Sequence, residues 1–328
     1  MRKHPIAPML THYQSRIALG GKIDLVLVSG ASKTEVEEIF RRLWLTIFEF
    51  EKRFSRFIPA SELSQFNRAA GLKQPISPEF KAVLTAACQM SALSGGLYNP
   101  FVLPALQRAG YVKSMVAAHS DDEVDDFSNR SVVPPEQLEV ADTWARIPYG
   151  TAIDIGGCGK GYAGDLLADL ADTFPTINGY WFSLGGDVVT GGLDEEDRPW
   201  TVGIESVSSK SHALPGQAVL PGPERYAVAT SSVMHRKGTK NGKSWHHIID
   251  PRTGRPALSD MAAASICSRT ALAADVLASC AVILGTAYAE DDLSDKGAEG
   301  GLLQAKNGAV TGWGELIRFK KARRKASK

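Results

Sequence analysis

Apolar positions recurring at three- and four-residue spacing single out one long helix. Val36, Ile39, Phe40, Leu43, Ile47, Phe50 and Phe54 share a face, which predicts a core helix. Glu35, Glu37 and Glu38 stand in its first turn, where the helix dipole favours negative charge. Upstream, Leu19 to Val28 alternates weakly and reads as a strand. Downstream, Pro59 blocks helix continuation and Ser61 is placed to cap a short second helix. Pro78, at a first helical position, opens a further helix from Ser77 to about Leu93. Gly95-Gly96 stops it, and Leu97-Tyr98-Asn99-Pro100-Phe101 follows.

The second half mixes both periods. A helix is expected from about Tyr162 to Ala171 with Leu166, Leu167 and Leu170 inward, and Thr270 opens another through Ile283, stopped by Gly285. Gly179 to Thr190, carrying Leu184-Gly185-Gly186-Asp187, and Trp200 to Glu205 read as strands, and 206–224 as a connecting loop rich in Ser, Pro and Gly. Tyr226–Ser232 and His247–Pro251 read as two strands joined by a hairpin, Lys237 to Lys243, turning at Asn241-Gly242. Ala262–Cys267 is a short strand, and a last hairpin turns at Asn307-Gly308. No internal repeat and no sharp composition break occur, so one continuous α+β domain is the simplest organisation.

Composition narrows the function classes. The 328 residues are 44% hydrophobic and 22% charged, ordinary globular values, and the net charge of +1 gives no global pull toward nucleic acid or an anionic membrane. Cys88, Cys158, Cys267 and Cys280 lie far apart without a C-x-x-C, which reads as reduced thiols and speaks against zinc. The acidic cluster Asp121 to Asp126 lacks EF-hand spacing and reads as solvated surface, as does the basic tail from Arg318. No apolar run reaches the ~18 residues of a transmembrane helix, and the first residues lack the apolar segment of a signal peptide, so a cytoplasmic protein is expected.

Four polar constellations interrupt apolar segments. The first, Asp154-Ile155-Gly156-Gly157-Cys158-Gly159-Lys160-Gly161, matches neither G-x-G-x-x-G nor G-x-x-x-x-G-K-[ST] and stands between a ligand loop and a tight structural turn. In the second, Asp275 and Ser279 fall on one helix face as two hard oxygen donors, which suits Mg²⁺; an acid balancing the helix dipole is the plainer alternative. The third is Trp245-His246-His247-Ile248-Ile249-Asp250, whose adjacent histidines point to opposite faces of a strand. The fourth, Gly185-Gly186-Asp187, reads more readily as a turn than as a site. Neither G-x-S-x-G nor H-E-x-x-H occurs, against a common hydrolase or zinc protease.

Six motifs in order extend this picture: Phe54-Ser55-Arg56-Phe57 with Ser61-Glu62-Leu63 and Asn67; Asp154 to Ala163; Leu184 to Asp187; Ala229-Thr230-Ser231; His247 to Gly254; and Ala274 to Ser279. In this series, over roughly residues 18 to 313, the sequence resembles the ApbE family of FAD:protein FMN transferases. The resemblance implies a T-fold-like α+β architecture of antiparallel sheets packed with helices. It implies an enzyme that, with Mg²⁺, transfers FMN from FAD to a Thr or Ser hydroxyl of a target protein and releases AMP. Hydrolysis of FAD to FMN and AMP, or holding FAD without turnover, are the alternatives it carries.

Matched position by position, the resemblance puts metal ligation on the Gly157 carbonyl, Asp275 and Ser279. It puts FAD contacts on Leu19, Leu97, Tyr98, Asn99, Asp154, Lys160 and Ile248, and chemistry on His247, Asp250 and Lys160. His247 is the candidate for proton transfer at the acceptor hydroxyl, or for positioning it. The domain would run over 18–315, with residues 1–17 an extension, 114–150 a variable insert and 316–328 a basic tail. The sequence departs from the family pattern at Asn99 and Phe101, where Asp and Thr are common, at Ser232 for Gly, at Ser279 for Thr and at Gly159 for Ala.

Overall fold

The computed structural model describes residues 9–113, 125–207, 214–240 and 242–319. The first half runs β1 (Leu10–Ala18), β2 (Gly21–Ser29), α1 (Lys33–Phe54), α2 (Glu62–Arg68), β3 (Gln74–Pro75), α3 (Pro78–Leu93) and α4 (Leu103–Ala109). Two short strands, β4 (Glu139–Val140) and β5 (Trp144–Arg146), lead into α5 (Gly159–Asp172). Then come β6 (Ile177–Leu184), β7 (Asp187–Gly192), β8 (Trp200–Ile204), β9 (Gly216–Leu220) and β10 (Tyr226–Ser232). The hairpin β11 (Lys237–Lys240) and β12 (Lys243–His246) precedes β13 (Ile249–Asp250), β14 (Arg255–Pro256) and β15 (Met261–Ser268). The chain closes with α6 (Ala271–Leu284), α7 (Ala289–Ser294), β16 (Gly300–Ala305), β17 (Val310–Trp313) and β18 (Ile317–Phe319).

One antiparallel sheet, in the order β1-β2-β6-β7-β10-β15-β16-β17, is the frame. Successive residues on its strands enter different cores, as the period of two requires. Val189, Ala227, Ala229, Ile266 and Leu303 pack with the apolar faces of α1, α5 and α6. Their neighbours Val188, Val228, Cys267 and Leu302 pack on the opposite side with Val202, Ile204, Ala218, Leu220 and Ile317 of the small sheet β18-β9-β8. Covered on both faces, β15 and β16 are buried at every position. The fold is α+β, and among the described residues no helix is long and apolar enough to cross a membrane.

Helices α5 and α6 meet backbone to backbone. A Cβ on Gly161 would lie 2.4 Å from the Ala271 carbonyl oxygen, so only glycine permits this approach. The first backbone N–H groups of α6, at Ala271 and Leu272, donate to the Asp165 carboxylate of α5 at 2.8 and 2.9 Å. That clamp sets the register of the two helices.

Several sequence expectations shift. Residues 10–17, counted with an N-terminal extension, belong to β1, the edge of the main sheet. The stretch 206–224 is not all loop, because β9 lies within it and pairs with β8 and with β18, which opens the expected basic tail. The 237–243 hairpin forms its own ribbon, β11 with β12, and β10 pairs instead with β7 and β15. α5 begins three residues earlier than its apolar pattern, at Gly159, and Leu166 and Leu170 are half-buried beside fully buried Leu167. Of the expected 114–150 insert, residues 114–124 lie outside the described residues, with most of the acidic cluster. In the remainder Ala145 and Ile147 are core residues, and Asp125 pairs with Arg68. Asn241, residues 1–8 and 320–328 also lie outside the described residues.

Candidate functional site

A cavity of about 790 Å³ opens between the glycine-rich start of α5, the β1–β2 turn, β8 and the segment linking β10 to β13. That volume lies in the range of small-molecule sites, about 300–1,000 Å³. Leu19, Leu97, Tyr98, Asn99, Asp154, Gly157, Lys160, His247, Ile248, Asp275 and Ser279 all contribute to its wall. Asp250 alone of the sequence-derived candidates does not. Its carboxylate accepts from the Arg252 backbone at 3.0 Å and from the Arg252 guanidinium at 2.9 and 2.8 Å. Asp250 thus shapes the turn after β13.

Asp154 arrives on an extended segment fixed from both sides. The buried Asn67 amide donates to the Ile153 carbonyl and accepts from the Ile153 N–H, each at 2.8 Å. Asp154 itself donates its N–H to the Pro100 carbonyl at 2.7 Å, and its Oδ1 accepts from Gly156 at 2.9 Å. The Arg56 Nε stands 3.3 Å from Asp154 Oδ2, with both side chains buried. Tyr98 passes beneath the glycines and donates its hydroxyl to the Cys158 sulfur at 3.0 Å. Burial pushes that thiol up to about 12, so Cys158 is a packing residue and not a nucleophile. The Asn99 amide is committed to backbone, donating to Val133 and accepting from Phe101. Asn99 therefore shapes the wall through the chain it holds.

A buried charged cluster lies where α5 and α6 converge. Asp275 is 5% exposed; its Oδ2 accepts from the Gly161 N–H at 3.0 Å, and its Oδ1 is 3.8 Å from Lys160 Nζ. Lys160 pairs directly with Asp187, whose other oxygen accepts from the Thr230 N–H at 3.0 Å. Burial lowers the Lys160 amine, and the Asp275 carboxylate opposes that shift. Ser279 meets Ser231 hydroxyl to hydroxyl at 2.8 Å, and Thr230 meets Ser265 at 2.7 Å.

His247 follows β12, where its ring approaches Tyr111 edge-on, and its Nδ1 is buried without a hydrogen-bond partner. Burial first, then the charge of Arg236, pushes its pKa down to about 3, so the imidazole is neutral at pH 7. His246 turns the other way and approaches the Ala257 carbonyl at 3.1 Å.

The donor chemistry suits a hard cation. One buried carboxylate and the paired hydroxyls of Ser279 and Ser231 are oxygen donors of the kind Mg²⁺ takes, and Gly157, which lines the same cavity, has a backbone carbonyl of that kind. Among the described residues no group of three or more His, Cys, Asp or Glu side chains forms a softer metal cage.

Three residues matter more here than their sequence patterns suggested. Asp187 sits at a β-turn, and only its long-range pairing with Lys160 brings it into the site. Arg56 is held against Asp154 between the Phe57 and Tyr111 rings, its guanidinium carbon 4.1 and 4.7 Å from their centroids. Arg236 lies in the wall with a left-handed backbone, φ 45°, which no local pattern announces.

Comparison with known proteins bears on the family and the fold. The chain is similar to the FAD:protein FMN transferase of Klebsiella pneumoniae strain 342, 24% identical over 279 residues that cover 83% of this chain and 78% of the relative. It is similar to the protein of the same name from Vibrio cholerae, 26% identical over 258 residues, 77% of this chain and 74% of the relative. Its fold matches that of the ApbE protein from Thermotoga maritima, with a TM-score of 0.77 and 23% identity over 93% of this chain and 97% of that one. The apo form of the flavinyl transferase ApbE from Pseudomonas stutzeri matches with a TM-score of 0.77 and 20% identity, covering 94% and 96%. The ApbE family model matches residues 11–299, from the edge strand β1 to the threshold of β16; the chain belongs to the ApbE family.

Proposed function

We propose that this chain transfers FMN from FAD to a Thr or Ser hydroxyl of an acceptor protein, releasing AMP, with Mg²⁺ held by Asp275, Ser279 and the Gly157 carbonyl. The observation that carries the reading is a single cavity joining a buried acid–hydroxyl cluster, a neutral histidine and an apolar wall. The relatives' names supply the flavin donor and the protein acceptor. A divalent cation bound there would neutralise pyrophosphate charge and make the phosphorus a better electrophile.

The protein's own groups divide the remaining work. The acceptor oxygen attacks the FMN-side phosphorus, its bond to the AMP oxygen breaks, and AMP leaves with that oxygen. His247, whose neutral ring lines the cavity, takes the acceptor's hydroxyl proton. Burial does most to depress this imidazole and the Arg236 charge adds to it; phosphate charge entering the cavity offsets that second cause, so its basicity rises in the complex. Asp187 holds the Lys160 ammonium in direct contact, so that it stands 3.8 Å from Asp275 Oδ1 without fully pairing with it. The Val202, Ile204 and Trp200 wall excludes water around the flat ring system.

The test is mass spectrometry of cellular proteins with and without this gene, together with purified protein, FAD and Mg²⁺. A protein bearing an FMN adduct, lost with Asp275→Ala, supports transfer. AMP release with no adduct on any protein would replace transfer by hydrolysis, and FAD binding without AMP would leave a binder.

A further inference from the structure

Among the described residues three Lys or Arg side chains line the cavity, and two are committed. Arg56 faces Asp154 and donates from Nη2 to the Tyr111 carbonyl at 3.1 Å. Lys160 pairs with Asp187 and stands 3.8 Å from Asp275. Arg236 has neither a hydrogen bond nor an ion pair with any of the described residues, so none of them takes up its N–H donors.

Its placement is specific. The backbone of Arg236 is left-handed at φ 45°, an unfavourable conformation for a side chain of this size. A Cβ built on Gly20 would lie 3.7 Å from Arg236 Nη2, so the guanidinium reaches from the β10–β11 corner to the β1–β2 turn. That turn is left-handed too, at Leu19 (φ 53°) and Gly20 (φ 76°), and Leu19 and Gly20 belong to the cavity wall. The Arg236 charge opposes protonation of both Lys160 and His247. A half-buried guanidinium set beside another cation and left without a counterion is unfavourable until an anion joins it. Its planar fork suits two oxygens of a phosphate.

We propose that Arg236, rather than Lys160, is the residue that binds the phosphate charge of the flavin nucleotide, gripping pyrophosphate oxygens across the cavity mouth. The inference rests on the FAD reading and names the side chain that reads the ligand's charge. Lys160 then acts within the protein, as the counterion of Asp187 and Asp275.

Flavin fluorescence titrations of the purified full chain with riboflavin, FMN and FAD test it, because these ligands share a ring and differ in phosphate. Arg236→Gln should weaken FMN and FAD binding roughly tenfold or more, as expected for losing a charged hydrogen-bond pair, and leave riboflavin within about twofold. Lys237→Gln, one residue on and outside the cavity wall, should change none of the three. Arg236→Gly relieves the left-handed backbone; it should melt no lower than the parent and show the same phosphate-selective loss, which separates ligand reading from misfolding. Equal loss for all three flavins, or no loss for FAD, overturns the assignment while the FAD reading stands. A parent protein that binds none of the three overturns that reading and this inference with it.

Discussion

Gly161→Ala tests whether the convergence of α5 and α6 builds the site. The added methyl would sit 2.4 Å from the Ala271 oxygen and 2.7 Å from both the Ala271 carbon and the Leu272 Cα. All three are backbone atoms, so no rotamer change can relieve the clash. Restoring ordinary separation of ~3.5 Å requires the helices to part by about 1 Å. Overpacking of this kind costs about 1–3 kcal/mol. The charged hydrogen bond from the Gly161 N–H to Asp275 is stretched at the same time, adding up to about 1.5–3 kcal/mol. Better helix propensity returns less than about 1 kcal/mol. The expected net loss is about 2–4 kcal/mol, read as a melting temperature lower by roughly 4–10 °C in thermal denaturation followed by circular dichroism. Gly159→Ala is the internal control, because its Cβ would meet nothing closer than 3.7 Å. It should leave stability unchanged or raise it by up to about 1 kcal/mol. If Gly161→Ala melts within a degree of the parent, the close approach does not govern the helix pair and this account of Asp275 placement is wrong.

Three further outcomes follow from the same geometry. Asn67→Ala strands the Ile153 N–H and C=O in the core; urea denaturation should show a loss of about 3 kcal/mol, with weaker FAD binding because Asp154 is the next residue. The folded pKa of His247 is about 3 against 6.5 for an ordinary histidine, so the unfolded chain binds more protons between these values. The neutral ring's contribution is therefore complete above about pH 6.5 and falls away toward pH 3. His247→Gln should narrow the gap in urea midpoint to the parent as pH drops from 7 to 4; a gap that stays constant would refute the depressed pKa. Asp275→Asn should abolish Mn²⁺ binding measured by electron paramagnetic resonance on the flavin-free protein, and retained binding would move the cation site elsewhere.

The elements that sequence made legible are those whose burial is one-sided. α1 declared itself because eight of its positions are buried on one face. β1 escaped because, as an edge strand, it buries only Ala18 fully, so Leu10, Tyr13 and Ile17 alternate with nothing. β9 alternates over only five residues within a polar stretch, too few to outweigh the turn-forming composition around it. At the site, motif order brought Gly157, Asp275 and Ser279 to one cavity wall in expectation, and they share that wall. What it did not show was commitment. Lys160 carries its own counterion, Asp250 spends its carboxylate on Arg252, and Asn99 spends its amide on backbone. Such pairings join residues distant in sequence or settle a turn locally, and neither has a periodic trace.

The Asp165 clamp on the start of α6 has a mechanical consequence. It leaves α5 and α6 unable to slide past each other without breaking two charged hydrogen bonds. The Lys160 ammonium and the Asp275 carboxylate therefore travel as one rigid block. His247 and Arg236 are mounted separately, on the ribbon and corners between β10 and β13. Any opening or closing of the cavity that leaves this clamp intact preserves the spacing between acid and ammonium, and the reach from the imidazole to that pair is what changes.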